Sequence, residues 1–213
     1  MDQETAQESP PQDQRAVSDL LRSVADRLER PEISIRELLA AFGDRAFGLG
    51  IIAFALPNTV PIPVLGALFG LPLIFLAFQM MLGHRQPWLP ELMMSRAIAR
   101  ERFVGMVDLV EPKLRKLESL LKPRLTFLFA PVADRLIGLF LILCSISILI
   151  PLPGSNFPPA IGAIVVALAV IAQDGIALLI GLLIGILGLG YTTIVVSGLI
   201  WAALVALPGW LGL

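Results

Sequence analysis

DRAFGLGIIAFALPNTVPIP at 44–63 and DRLIGLFLILCSISILIPLP at 134–153 decide the reading of this chain. Asp44-Arg45, Gly48 and the Pro61-x-Pro63 break recur as Asp134-Arg135, Gly138 and Pro151-x-Pro153, all offset by 90 residues. Each copy starts with a charged pair and runs without charge to a double proline. Proline removes a backbone donor and clashes with the preceding turn, so each run must break there. A polar break inside apolar sequence, built twice, is a design of membrane transporters.

Working outward, the charges are segregated. Residues 1–45 carry six basic and ten acidic residues, and 84–135 carry ten basic and six acidic. The stretch 46–83 has none, and 136–213 holds only Asp174. With 56% hydrophobic residues and a mean hydropathy of +0.83, the chain reads as an integral membrane protein. The single Cys144 excludes an internal disulfide. No nucleic-acid motif, Walker loop, Gly-rich dinucleotide turn or Cys/His cluster is present. With His84 as the only histidine, no nucleophile has a credible base and no metal has a ligand set. The expectation is a non-enzyme with no cofactor and no metal.

The predicted fold is all-α: two repeated Pro-broken helical hairpins and a C-terminal apolar helical block, about five or six membrane segments. Residues 1–14 read as a disordered tail without a cleaved signal peptide. Residues 15–43 read as amphipathic cytoplasmic helices. Ser18 is placed as the cap of the first, Ser34 and Glu37 form a capping box for the second, and Gly43 ends it. Hairpin repeat 1 covers 44–83 and repeat 2 covers 134–174. The arms are 46–60 and 64–83, then 136–150 and 154–173. A first arm of this length reaches about 22 Å, short of the roughly 30 Å hydrocarbon core, so the apex is expected inside the membrane. Two full crossings stay open as the alternative, because Arg45 and Arg135 can snorkel.

The connector, 84–133, is basic and amphipathic, punctuated by Pro112, Pro123 and Pro131, and expected on the membrane surface. Its positive charge places it and the N-terminus in the cytoplasm, with both repeats starting from the same face. The block 175–213 is apolar over 175–207, about 50 Å if helical, with Gly188-Leu189-Gly190 offering a break. One helix or two are both compatible with it.

The candidate substrate-binding residues cluster on the repeats. Helix ends at Pro61, Pro63, Pro151 and Pro153 would bring free backbone groups and a partial dipole to a ligand. Asn58, Thr59, Ser155 and Asn156 would add hydrogen bonds. Arg45 and Arg135 would attract an anionic headgroup. Each also has a plain structural role: interhelical turn, helix cap or membrane-edge anchor. Gln79 and Gln173 read as a loose repeat match between helices. Asp174 is the ion-coupling candidate of the alternative carrier reading. Gly66-x-x-x-Gly70 and Gly181-x-x-x-Gly185 are read as close-packing stripes.

The run Gly43-Asp44-Arg45-Ala46-Phe47-Gly48, then Leu56-Pro57-Asn58 and Pro61-Ile62-Pro63, then Gly83-His84-Arg85-Gln86-Pro87-Trp88-Leu89-Pro90, resembles the ExoD family. The second repeat adds Pro151-Leu152-Pro153-Gly154-Ser155-Asn156 and Gln173-Asp174-Gly175, and the resemblance covers roughly 34–205. It implies a multi-pass protein of the bacterial inner membrane that supports exopolysaccharide synthesis. It supplies no set of active residues. A weaker architectural likeness is to DedA-type proteins, which pair re-entrant Pro-x-Pro hairpins and are linked to polyprenyl-phosphate lipids; their acidic residues around Pro-x-Pro are missing here. The partners to expect are the lipid bilayer, anionic or polyprenyl-phosphate lipid, exopolysaccharide machinery and further copies of the chain, but no nucleic acid. Three roles follow: a transporter or lipid-handling protein, a proton- or cation-coupled carrier, or a scaffold regulating polymer production.

Overall fold

The computed structural model describes residues 16–60, 62–84, 86–95, 97–150 and 154–211. The tail and Pro61, Pro151 and Pro153 lie outside them, and of Pro63 only the backbone is described. Two units form, neither contiguous in sequence: the polar segments 16–42 and 89–120 fold as one unit, and 43–88 with 121–211 as the other.

The polar unit comprises α1 (Val17–Arg27), β1 (Glu32–Ser34), α2 (Ile35–Phe42), α5 (Glu91–Met94), β2 (Ala97–Ala99) and α6 (Arg100–Leu120). Its core joins Ala25, Ile33, Phe103 and Val107. The all-α expectation needs one correction here. β1 and β2 pair antiparallel with Ile33 opposite Ile98, because two short extended segments satisfy each other's backbone groups. The Ser34–Glu37 capping box forms: Ser34 N–H donates to Glu37 Oε2 (2.9 Å) and Glu37 N–H to Ser34 Oγ (3.2 Å). Gly43 follows α2 at φ +54°, the left-handed ending glycine permits. Ser18 is not a cap. Helix α1 starts at Val17, and Glu118 of α6 reaches its N-terminus, accepting from Val17 N–H (2.7 Å), Ser18 N–H (3.1 Å) and the Ser18 hydroxyl. Pro112 lies inside α6 without ending it, since Phe103, Val107 and Leu114 are buried on both sides of it.

The apolar unit holds a 3₁₀ turn at Gly43–Arg45, α3 (Ala46–Ala55), a second 3₁₀ turn at Leu56–Thr59 and α4 (Pro63–Met81). After a third 3₁₀ turn at Thr126–Phe129 come α7 (Pro131–Leu149), α8 (Phe157–Ala172) and α9 (Gly175–Leu211). Among the described residues three helices are long and apolar enough to cross a membrane: Val64–Met81, Pro131–Leu149 and Gly175–Val205. The apolar stretches Ala46–Thr59 and Phe157–Ala172 are shorter. The arms are therefore unequal, because α7 begins at Pro131 and carries Asp134 and Arg135 inside its first turns. The last block is one helix: Gly188 and Gly190 do not break it, and Gly188 instead packs against Pro158 and Pro159 of α8.

Glycines set the packing. A Cβ at Gly138 would lie 2.4 Å from Met81 N and 3.0 Å from Ala77 O, so α7 and α4 touch backbone to backbone. A Cβ at Gly162 would lie 2.6 Å from Gly185 Cα, and one at Gly181 2.7 Å from Val166 N, so α8 and α9 do the same. Without a hydrophobic driving force between helices in lipid, such close approach supplies the van der Waals attraction.

Candidate functional site

The helix directions place the candidate residues at two ends of the apolar unit. Gly50 lies against Leu76 and Phe54 against Phe69, so α3 and α4 are antiparallel. Gly138 meets Met81 while Gly70 meets Leu149, so α4 and α7 are antiparallel too. Gly48 meets Ile171 and Ala167, and the turn after α3 packs on α8. The starts of α3 and α7 therefore share one end with the C-termini of α4 and α8. Both breaks share the other.

At the break end polar side chains are buried in apolar surroundings. Asn58 is fully buried; its Nδ2 donates to Phe54 O (2.8 Å), as expected for a residue closing a helical turn. Its Oδ1 is buried without a hydrogen-bond partner among the described residues. Such an acceptor costs about 1–3 kcal/mol unless something donates to it. Thr59 Oγ donates to Leu56 O (2.7 Å). Ser155 Oγ is within 3.3 Å of Ile150 O and 3.2 Å of Asn156 Oδ1. The Asn156 amide lies over Gly66 of α4, 2.7 Å from where a Cβ would stand, so the second break touches the first hairpin. Sequence reading missed two members. Thr192 of α9 accepts from Ser147 Oγ (2.8 Å) and donates toward Gly188 O (3.1 Å) and Ser155 O (3.5 Å). The polar triplet Tyr191-Thr192-Thr193 within the apolar block was the available signal.

The charged end is built differently. Arg135 lies over Gly83, with Nε 3.4 Å from a would-be Cβ, and Arg45 closes the 3₁₀ turn before α3. Neither is near the breaks: the length of α3 separates Arg45 from Asn58 by roughly 15–20 Å. Gln79 and Gln173 are not equivalent. Gln79 clasps the Trp88 backbone, accepting from its N–H (2.6 Å) and donating to its O (3.0 Å). Gln173 ends α8 at φ 55°, and the residue 90 positions before it is Gly83, also left-handed at φ 84°.

Asp174 is fully buried at this end and caps α9, its Oδ1 accepting from Ile176 N–H (3.0 Å) and Ala177 N–H (3.3 Å). Its Oδ2 accepts from Lys122 N–H (2.9 Å) and Arg124 Nη2 (2.8 Å). Burial alone would raise this carboxyl; the Arg124 guanidinium and the backbone donors outweigh it and hold it at about 2. Both partners, Lys122 and Arg124, come from the basic connector 84–133.

A helical protein with, among the described residues, three apolar helices of membrane-spanning length and a buried polar cluster has the make-up of a membrane protein. The family described as exopolysaccharide synthesis, ExoD, matches residues 17–194, and the chain belongs to that family. It is 31% identical to Protein ExoD of Rhizobium meliloti over 169 residues, 76% of this chain and 70% of that one. It is 29% identical to an uncharacterized protein of Synechocystis sp. over 164 residues, 74% of this chain and 77% of that one. No solved structure matches.

Proposed function

We propose that this chain is a non-enzymatic inner-membrane protein that handles a lipid or transports a substrate for exopolysaccharide synthesis, with its site where two re-entrant hairpin apices meet. The observation that carries the reading is the length of α9. Its apolar stretch Gly175–Val205 measures about 46 Å, and α8 packs along it from Gly181 to Gly188. Thr192, beside the second break, stands about 26 Å from Gly175 and about 20 Å from Val205. Exposed Leu183, Ile186 and Leu187 lie on one side of that level, and Leu199, Ile200, Trp201 and Leu204 on the other. Lipid covering both sets would put the break within the apolar band.

Packing also supports a twofold relation. Gly48 touches Ala167 and Ile171, and Gly138 touches Ala77 and Met81; each residue of one set is 90 positions from its counterpart in the other. Two homologous halves packed isologously generate this reciprocity. Asn58 Oδ1 would accept from the ligand, and Asn156, Thr59 and Ser155 would complete the polar wall. Arg45 and Arg135, at the opposite end, would draw an anionic headgroup such as a polyprenyl phosphate. The carrier alternative on Asp174 is less favoured, since a proton there would have to displace Arg124 and break the α9 cap.

Cysteine mapping in a Cys144→Ala background tests the placement. Probes at Asn58 and Asn156 should react far more slowly with impermeant maleimide than an exposed loop does. Reaction as fast as at an exposed loop would place the apices in water and sink the proposal.

A further inference from the structure

Helix α6 carries an apolar face that the polar unit does not use. Phe103, Val107 and Leu114 are buried on its inner side, where α1 packs. Met106, Leu109, Val110, Leu117 and Leu120 are exposed, Leu109 at 64% and Leu120 at 69%. On a helical projection these five fall within an arc of about 100° beside the buried face. The charges divide around it. Arg102 and Lys116 are exposed on the arc or its flank, and neither is in a salt bridge among the described residues. The four acids of α6 lie on the far side, and three of them are committed to α1: Asp108 to Arg22 (2.7 Å), Glu111 to Arg22 (3.7 Å) and Glu118 to the α1 N-terminus.

We infer that this face of α6 lies on an anionic lipid surface, its five apolar side chains entering the headgroup boundary and Arg102 and Lys116 pairing with lipid phosphate. An apolar stripe with a basic flank, and with its acids turned away, is the charge pattern such a surface recognises. Leu120, the last residue of α6, is followed directly by Leu121 of the apolar unit. The inference is independent of the hairpin site.

The test uses the full chain with Cys144→Ala and one new cysteine, Leu109→Cys, Leu117→Cys or Glu101→Cys, labelled with an environment-sensitive fluorophore. The protein is reconstituted in phosphatidylcholine vesicles with or without phosphatidylglycerol. Labels at 109 and 117 should shift to the blue and be quenched by spin-labelled lipid, more strongly with phosphatidylglycerol, while the label at 101 stays water-like. Arg102→Gln with Lys116→Gln should reduce the quenching at 109 severalfold. A label at 109 as water-exposed as that at 101 would overturn the inference. So would one shielded from water yet out of reach of lipid quenchers, which would mean that protein covers the face.

Discussion

At the residue scale, two glycines that look alike in sequence carry different loads. A methyl at Gly138 would meet the Met81 and Ala77 backbone, which cannot step aside; at Gly48 the first obstacle is the flexible Ile171 side chain. Gly138→Ala should therefore cost about 1–3 kcal/mol, and Gly48→Ala clearly less, by thermal unfolding in detergent. Asn58→Leu removes an unsatisfied acceptor, so stability should hold or rise by about 1 kcal/mol while polymer production falls. For Asp174 the folded-state value is depressed from 3.8 to about 2. Its stabilisation is therefore present above about pH 4 and lost as pH falls toward 2, worth about 2 kcal/mol. Asp174→Asn should remove that amount at neutral pH and flatten the acid limb of the stability profile. The capping box was legible because Ser-x-x-Glu acts within four residues. The Asp174 clamp was not, since its partners Lys122 and Arg124 lie about fifty residues away and only packing brings them together.

At the element scale, α9 is the informative helix. If its far half sits in lipid, Ile186→Lys and Ile200→Lys should each lower membrane insertion by a similar amount, about 2–3 kcal/mol in an insertion assay. If the far half stood in water, Ile200→Lys would be silent. The sequence offered Gly188 and Gly190 as a break, yet the helix continues because Gly188 serves as a contact for α8. Glycine's low helix propensity lost to a packing gain that only the neighbouring helix reveals.

At the scale of the whole molecule, the reciprocal contacts of Gly48 and Gly138 make the two halves comparable. Arg45→Ala and Arg135→Ala should reduce exopolysaccharide output to similar extents, and the double variant further, at equal protein abundance. Output unchanged in the double variant would remove the headgroup role. The sequence by itself determined that the chain has the composition of a membrane protein, where its apolar stretches run and which family it belongs to, because charge segregation and spaced motifs are one-dimensional signals. Only the tertiary structure decided that residues 16–42 and 89–120 form one unit, that Thr192 and Ser147 join the breaks, and that Asp174 is clamped by Arg124. Those facts depend on contacts between residues distant in the chain, and a buried polar group shows its partner only once the helices around it are placed.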